Sequence, residues 1–296
     1  MKGKKSIIPS KKIGFFTYQK LPNLYYDDQH LIQPFKDEGI EIIPLIWDEK
    51  IDYDAFDLLI FRSAWDYHHK TKRFTSFLEE LQAINTPVCN PPKIILENYD
   101  KYYLQALIQA DFNVIPTLFF ENVKSVDLSY ILSEKKWARA VIKPVISMSA
   151  YHTYTFTNQN AAELQAKLRS YYGDTRVMIQ PFAQEIVNEG EWSLVFYDKN
   201  YCFSALKMPK KGDFRVQSDF GGHITFTDPP SNIIKEARSI LDYYGNDILY
   251  ARMDGIIYND HFQLMEAELI DPELYFRAGE KGRQTFLGAI KKRLEY

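Results

Sequence analysis

The chain has only two cysteines among its 296 residues, Cys89 and Cys202. They lie far apart in the sequence and neither stands at a spacing typical of a zinc site, so neither a disulfide framework nor a cysteine-ligated metal is supported. Long apolar runs are missing too. No stretch reaches membrane-spanning length, and the basic N-terminus MKGKKSIIPSKK has no apolar segment resembling a signal peptide. We therefore expect a cytoplasmic protein that does not bind membranes.

A strong charge imbalance is also absent, because 36 basic residues stand against 39 acidic ones and the net charge is -3. Such a chain has no long-range positive field, which argues against a nucleic-acid partner. Aromatic residues make up 15% of the sequence but are scattered, which favours core packing over a stacking platform for single strands. The oligomeric state stays open, with a homodimer the commonest assembly.

The sequence also lacks a glycine-rich phosphate loop, since GFFTYQKLPN matches neither a dinucleotide fingerprint nor a Walker sequence. Strand and helix patterns alternate from Ile13 to about residue 90, which predicts an open parallel α/β sheet. Ligands of such sheets bind beyond the carboxyl ends of the strands. Arg62, Ser63 and Asp66 follow the strand DLLIF and are candidate substrate contacts. The equally weighted alternative is a local Arg62–Asp66 ion pair with Trp65 as a packing residue.

Three segments follow from the change of pattern along the chain. Residues 1–92 form the predicted N-terminal α/β domain, and the segment NPPKIILENYDKYYLQALIQA looks like a domain junction because it turns from prolines into a helix. Residues 93–181 are expected to form a compact α+β unit. Residues 182–296 have longer strands, a hairpin and a C-terminal helix.

The hairpin carries charged residues in an otherwise apolar pattern. Arg252 and Asp254 alternate with apolar residues on its first strand, and Glu266 and Glu268 do so on its second. An Asn-Asp-His loop of three residues would place Asp254 opposite Glu266 and Arg252 opposite Glu268. Opposed carboxylates repel, so their shared face predicts a bound cation. Oxygen ligands favour Mg²⁺ or Mn²⁺, usually shared with nucleotide phosphates. The alternative is a solvated strand face.

Other charged residues are candidates for an anion site. Lys143 lies in the apolar strand VIKP, where a lysine is costly unless its ammonium reaches an anion or water. Lys101, at the start of a predicted helix, could reach the same anion, and Glu191 could accept hydrogen bonds from ribose hydroxyls. Lys207 and Arg215 could stabilise developing negative charge. For either cation alone, a solvated surface position is the favoured alternative.

The order of these elements resembles the ATP-grasp superfamily of ligases. It runs from a lysine at a helix start through V-I-K-P, Q-P-F, G-E, a lysine strand and an arginine before a glycine pair to R-x-D and E-x-E. Within the superfamily it resembles the glutathione synthetase and RimK-type branch. The strings R-S-x-W-D-Y, F-R-V-Q and E-x-E-L-I-x-P are similar to the cyclo-ligases of the O-ureido-serine type that form cycloserine. The resemblance spans Ile13 to Phe276.

The resemblance implies an α/β ATP-grasp fold, in which an open parallel N-terminal domain precedes two α+β subdomains that clasp ATP, the central one as a lid. It implies a magnesium-dependent ligase that joins a carboxylate to an amine through an acyl phosphate and turns ATP into ADP and phosphate. A regulatory ATP-binding protein and a small-molecule kinase are the alternatives. The implied contacts are Lys101, Lys143, Ser149, Gln180, Pro181, Phe182 and Glu191 for ATP, Asp254, Glu266 and Glu268 for the metal, Lys207, Arg215 and Arg252 for the reacting phosphoryl group, and Gly221 and Gly222 beside it.

Two features depart from the family pattern. The loop after VIKP reads VISMSAYHT and has no glycine, although such loops usually carry glycines that let them close over the phosphates. The third metal position, commonly Asn, is Glu268 here and adds one negative charge. We interpret both as variants of an active enzyme.

Overall fold

A parallel sheet is built from the first ninety residues of the chain. The computed structural model describes residues 11–148, 150–172, 174–210, 212, 215–216 and 221–295. The strands of this N-terminal sheet are β1 (Lys11–Thr17), β2 (Ile40–Ile46), β3 (Leu58–Ser63) and β4 (Val88–Cys89), in the order β2-β1-β3-β4. A 3-10 turn (Asp28–Leu31) with α1 (Ile32–Asp37) and then α2 (Thr71–Gln82) make the connections. All six residues of β3 are buried, as expected of a central parallel strand. The predicted open parallel sheet is confirmed.

A smaller antiparallel sheet follows, after helices α3 (Pro92–Asn98) and α4 (Tyr103–Gln109). This central sheet has the order β5-β8-β6-β7, with β5 (Leu118–Phe120), β6 (Ala140–Pro144), β7 (Tyr154–Phe156) and β8 (Val177–Pro181). Helices α5 (Leu128–Lys135) and α6 (Ala161–Tyr172) bury Leu132 and Leu164 against Ile142 and Ile179 of this sheet. Alternate burial along β6 leaves Lys143 half-buried on the other face.

The C-terminal sheet is antiparallel and has the order β11-β10-β9-β12-β13. Its elements are α7 (Glu185–Asn188), β9 (Glu191–Tyr197), β10 (Asn200–Met208), β11 (His223–Phe226), α8 (Ser231–Tyr243), β12 (Tyr250–Tyr258), β13 (His261–Glu268) and α9 (Glu280–Leu294). One face shares a core with α9 and the N-terminal sheet, and the other packs on α4 and α8. Among helices in the described part of the chain, none is long and apolar enough to cross a membrane.

The hairpin of β12 and β13 turns through two residues rather than the predicted three. Asn259 and Asp260 have positive φ angles of 50° and 64°, as a type I′ turn requires. His261 already pairs with Tyr258 and belongs to β13. The three-residue loop was wrong because Asn and Asp both tolerate the left-handed conformation, so the shorter turn closes without a glycine.

A β-bulge at Gly255 restores the register expected for the charged residues. The pairing shifts by one residue between Asp254 and Gly255. Beyond the shift, Asp254 faces Glu266 and Arg252 faces Glu268. The predicted pairing of the charged residues is therefore confirmed, although a tight turn followed by a bulge produces it.

Candidate active site

Side chains from the central sheet, from the C-terminal sheet and from loops of the N-terminal part meet around one cavity of about 330 Å³, called the cleft below. Many of the predicted site residues line it, although they are spread over more than 160 positions of sequence. Those brought together are Lys101, Lys143, Gln180, Pro181, Phe182, Glu191, Lys207, Arg215, Arg252, Asp254, Glu266 and Glu268. The convergence of separate charged residues is the main observation on this site.

Asp254 is the most strongly neutralised carboxylate of the cleft. Arg252 Nε lies 2.9 Å from its Oδ1 and Arg252 Nη2 lies 2.8 Å from its Oδ2. Ser193 Oγ is 2.6 Å from Oδ1, and Lys207 Nζ is 3.6 Å from Oδ2. Burial raises the pKa of Asp254, but Arg252 and Lys207 outweigh it and hold the pKa at about 2. This carboxylate is ionised at any physiological pH.

Glu268 carries negative charge that its surroundings do not fully balance. Arg252 Nη2 donates to Glu268 Oε1 over 2.7 Å. Burial nevertheless raises the pKa of Glu268 to about 7, opposed by Arg252 and assisted by the charges of Glu266 and Asp254. Glu268 would therefore stay ionised more readily if a further cation were bound beside it.

Lys101 joins the loop after β6 to the hairpin. Its Nζ lies 2.7 Å from the Ser147 carbonyl oxygen and 3.0 Å from Glu266 Oε1. Burial raises the pKa of Glu266, but the charges of Lys101 and Lys143 lower it by more, so the net shift of the pKa is downward. Burial also lowers the pKa of Lys143, and the like charge of Lys101 adds to this. An anion placed between the two ammonium groups would relieve their repulsion.

Glu191 and Lys207 face each other across β9 and β10 and form an ion pair. Burial lowers the pKa of Lys207, but Asp254 and Glu191 outweigh it and raise the pKa well above its usual value. Lys207 thus remains a cation while buried. It links Glu191, at the start of β9, to the charged end of the hairpin.

The end of β8 forms an apolar part of the cleft. The Phe182 ring lies under the Arg139 guanidinium at 3.9 Å, and the Phe182 N–H donates to the Arg139 carbonyl over 3.0 Å. The Gln180 side chain donates to Thr117 Oγ1 over 3.0 Å, so it supports β5. Apolar neighbours in the cleft are Val141, Ala183, Ile186, Val216 and Met265. This end suits a flat, largely apolar group such as a base.

Arg62 is buried behind the cleft lining and is not among the described residues that line the cleft, which corrects its prediction as a substrate contact. It is 1% exposed, donates from Nη2 to Asp28 Oδ1 over 2.8 Å and reaches the Pro272 carbonyl at 3.1 Å. The expected alternative, an ion pair with Asp66, is wrong as well. Burial raises the pKa of Asp28 to about 6, partly offset by Arg62. The pair anchors the core between β3 and the segment after β13.

Ser63 and Asp66 also serve the structure rather than the cleft. Ser63 Oγ lies 2.9 Å from Thr17 Oγ1 between β3 and β1. Asp66 accepts a 2.7 Å hydrogen bond from Trp47 Nε1 and pairs with Lys70 at 2.6 Å. Neither residue is among the described residues that line the cleft. Their prediction as substrate contacts is corrected accordingly.

Gly221, Gly222 and Ser149 complete the predicted set. Both glycines are described, Gly221 with a φ of 79°, but neither is among the described residues that line the cleft. Their place beside the phosphoryl group is not supported. Ser149 lies outside the described residues.

The glycine-free loop after β6 packs on the N-terminal part of the chain. Ala150 and His152 have positive φ angles of 56° and 52°, so the loop reaches left-handed conformations without glycine. The Tyr151 ring lies 5.2 Å from His68 and 5.0 Å from His69, measured between centroids. Aromatic contacts thus hold this loop near the mouth of the cleft.

Sequence reasoning missed one wall of the cleft. We call it the far wall; it consists of Tyr25, Trp65, Tyr67, Asp271, Glu273 and Tyr275. The sequence places Trp65 beyond the end of the strand DLLIF, where ligands bind, with a packing role as the alternative. Asp271 and Glu273 closely follow Glu268, the last residue of the metal-binding pattern, and their position was the available signal. The three aromatic residues from the N-terminal part could not be placed there without the tertiary structure.

Comparisons with known proteins agree with this architecture. Residues 13–90 match the family model described as the N-terminal domain of D-cycloserine synthetase DcsG. The chain is 22% identical over 290 residues to the cycloserine biosynthesis protein DcsG of Streptomyces lavendulae, covering 91% of this chain and 94% of that protein. The crystal structure of D-cycloserine synthetase DcsG superposes with a TM-score of 0.82 at 22% identity, over 96% of this chain and 99% of that one.

The chain has the ATP-grasp fold. A RimK domain ATP-grasp protein from Sphaerobacter thermophilus superposes with a TM-score of 0.69 at 16% identity, over 95% of this chain and 99% of that one. The D-alanine–D-alanine ligase of Bacillus anthracis complexed with ATP superposes with a TM-score of 0.67 at 14% identity, over 97% of this chain and 98% of that one. The ATP-grasp fold predicted from the order of motifs, and its likeness to RimK-type and cycloserine-forming proteins, are confirmed.

The carboxylates of this ATP-grasp cleft fit a hard cation shared with a nucleotide. Asp254, Glu266 and Glu268 offer only oxygen donors, as Mg²⁺ prefers. In the part of the chain that the structure describes, no three His, Cys, Asp or Glu residues are grouped closely enough to enclose a metal. Partial ligation is what Mg²⁺ requires when phosphates and water complete its shell. The raised pKa of Glu268 likewise indicates that nearby positive charge does not fully balance this carboxylate, so a further cation would stabilise its ionised form.

Proposed function

We propose that this protein is an ATP-dependent ligase that joins a small amino-acid-like or peptide-like carboxylate to an amine through an acyl phosphate. The observation that carries the proposal is the convergence of Lys101, Lys143, Lys207 and Arg252 with three carboxylates in one cleft. Four cations gathered around one cavity, three of them buried, suit an anionic ligand better than a neutral one. Similarity to a cycloserine biosynthesis protein and to D-alanine–D-alanine ligase supports it.

The nucleotide would lie along the cleft from Phe182 to the hairpin. The backbone from Gln180 to Phe182 and the apolar residues around it would hold the base, and Glu191 would accept hydrogen bonds from the ribose. Lys101 and Lys143 would hold the phosphates. Both ammonium groups are already desolvated, which strengthens their interaction with an anion.

Asp254, Glu266 and Glu268 would hold Mg²⁺, which neutralises phosphate charge and aligns the γ-phosphate when bound. Arg252 connects two of these carboxylates and is 8% exposed. It would fix the orientation of both and present positive charge to the reacting phosphoryl group, together with Lys207 and Arg215. These residues act by positioning and electrostatics rather than by covalent catalysis.

The reaction has two steps. An oxygen of the substrate carboxylate attacks the γ-phosphorus, and the bond between that phosphorus and the ADP oxygen breaks. The amine nitrogen then attacks the acyl carbon, the carbon–oxygen bond to phosphate breaks, and the amine loses a proton. The products are an amide, ADP and phosphate.

The test follows ADP and phosphate release over a panel of amino acids and dipeptides with Mg²⁺. The ligase predicts release of both together with an amide detected by mass spectrometry. AMP and pyrophosphate would contradict the acyl-phosphate mechanism. A phosphorylated product without an amide would indicate the kinase, and tight nucleotide binding without ADP formation would indicate the regulatory protein.

A further inference from the structure

Asp271 on the far wall is a buried carboxylate with an unsatisfied oxygen. The residue is 2% exposed, and Oδ2 has no hydrogen-bond partner within the residues that the structure describes. Other carboxylates of the cleft, such as Glu266 and Glu273, are paired with Lys101 and Arg277. A buried polar atom without a partner is costly and rare in native proteins. The cost suggests that a ligand supplies the missing donor.

Asp271 stands beside the reacting end of the cleft. Burial raises the pKa of Tyr67, and the next causes are the charges of Asp271, Glu268 and Glu266. Tyr67, Asp271, Glu266 and Glu268 all line the cleft, and Tyr67 interacts electrostatically with the three carboxylates. A group bound there would lie next to the metal carboxylates.

The backbone around Asp271 is fixed by side chains from earlier in the chain. Trp65 Nε1 donates to the Asp271 carbonyl over 3.0 Å, and Arg62 donates to the Pro272 carbonyl over 3.1 Å. The Tyr250 hydroxyl donates to the Ile270 carbonyl over 2.6 Å. These hydrogen bonds satisfy the carbonyl oxygens of Ile270, Asp271 and Pro272, so the Asp271 carboxylate is the group of this segment that still lacks a donor. The segment is thus a prearranged part of the cleft.

The surroundings of Asp271 favour a cation. Trp65 packs against Tyr25 with centroids 4.7 Å apart, and Tyr275 lines the same wall. Aromatic faces attract ammonium groups, and an ammonium brings three hydrogen-bond donors. A second carboxylate of this wall, Glu273, is already paired with Arg277, which leaves Asp271 as the carboxylate with an unsatisfied oxygen. A substrate that carries only a carboxylate would offer Asp271 no hydrogen-bond donor, which provides discrimination.

We propose that the far wall binds the ammonium group of a small amino-acid substrate, with Asp271 as its counter-ion. The inference rests on the proposed function, since the same molecule presents its carboxylate to the γ-phosphate. Burial and the charge of Glu268 raise the pKa of Asp271 to about 8 although Arg62 and the Ala64 backbone N–H act in the opposite direction, and an arriving ammonium would lower this pKa further toward its usual value. Asp271, rather than the bound nucleotide, would then select substrates that carry a free amino group.

The test compares matched ligands by calorimetry on the full chain loaded with Mg²⁺ and ADP. The pairs are alanine with propionate and serine with 3-hydroxypropionate, which differ by the amino group. The wild type should bind the amino acids at least about tenfold more tightly, as expected for a charge-assisted hydrogen bond. Asp271→Asn should remove that preference while the Kd for ADP changes less than about twofold. Asp37→Asn, an exposed change on α1, is the control and should keep the preference.

Equal binding of both ligands by the wild type, no binding of any amino acid, or a preference retained in Asp271→Asn would overturn the inference. If Asp271 only supports packing, the substitution lowers the melting temperature and leaves the preference intact. Failure of the ligase proposal is distinguishable, because amino acids would then bind selectively while neither ADP nor phosphate is released in the turnover assay.

Discussion

Replacing Glu268 with glutamine should remove magnesium-dependent nucleotide binding without weakening the ligand-free fold. Gln keeps the volume and an oxygen that can accept the 2.7 Å hydrogen bond from Arg252. Burial raises the pKa of Glu268 to about 7, so the protonated, neutral side chain is much more accessible here than for a solvated glutamate. The neutral amide therefore resembles a state that the protein tolerates. What it lacks is the charge that a metal needs.

The magnitude follows from linkage between binding and unfolding. A nucleotide–Mg²⁺ complex at about 100 times its Kd stabilises the wild type by about 2.7 kcal/mol. If loss of the Glu268 carboxylate as a metal ligand weakens nucleotide–Mg²⁺ binding about 100-fold, the same concentration of the complex stabilises Glu268→Gln by only about 0.4 kcal/mol. At about 1.6 °C per kcal/mol for a chain of 296 residues, the melting temperature should rise by roughly 4 °C in the wild type and by less than about 1 °C in the variant.

The assay is thermal unfolding with and without Mg²⁺ and a non-hydrolysable ATP analogue. Glu163→Gln, an exposed change on α6, controls for the chemical substitution and should behave as the wild type does. Equal ligand-induced shifts in Glu268→Gln and the wild type would refute the role of Glu268 as a metal ligand. A large drop in the ligand-free melting temperature would instead refute the argument from its pKa.

Three other outcomes are expected. Asp254→Asn and Glu266→Gln should each abolish ADP release while circular dichroism shows a folded chain; unchanged turnover would remove the metal assignment. Gly255→Ala should destabilise the protein by about 1–3 kcal/mol in urea unfolding, because its Cβ would lie 2.4 Å from the Gln263 carbonyl oxygen at the bulge; an unchanged midpoint would show that the bulge adapts. Asp271 has a folded pKa of about 8 against a usual 3.8, so the folded state holds a proton that the unfolded state releases between these values. Stability should therefore fall as pH rises from about 4 to 8, by up to about 1.4 kcal/mol per unit, and Asp271→Asn should flatten that slope.

Local patterns were sufficient to predict much of this fold. Alternating strand and helix patterns predicted the N-terminal sheet because each element carries its own periodicity. The charged face of the hairpin was predictable because strand residues two apart share a face, which fixed Arg252 with Asp254 and Glu266 with Glu268. Even the wrong turn length did not disturb this pairing, since the bulge at Gly255 compensated by one residue. The C-terminal charge pattern therefore depended little on the exact turn.

The substrate side was not predictable, because its residues depend on partners far away in sequence. Arg62 stands at a strand end, where a substrate contact is expected, but its guanidinium donates to Asp28 and to the Pro272 carbonyl instead. Nothing in the local sequence distinguishes Asp271 from an ordinary loop residue. Only the tertiary structure shows that it is buried and that its Oδ2 lacks a hydrogen-bond partner within the described residues. Roles decided by burial and long-range pairing have no local signature in a single sequence.

The ion pairs within the cleft imply that metal binding and nucleotide binding depend on each other. Glu266 is held by Lys101 at 3.0 Å, so Mg²⁺ alone competes with an ammonium, and a phosphate alone competes with a carboxylate. Together they exchange partners, because the phosphate takes Lys101 and the metal takes Glu266. Lys101→Met should thus weaken ATP binding but tighten binding of Mg²⁺ alone, since Glu266 loses its cation. Lys101 is 6% exposed, and Met can fill most of its volume. Weaker binding of both ligands in calorimetry would show that Lys101 supports the hairpin instead of competing with the metal.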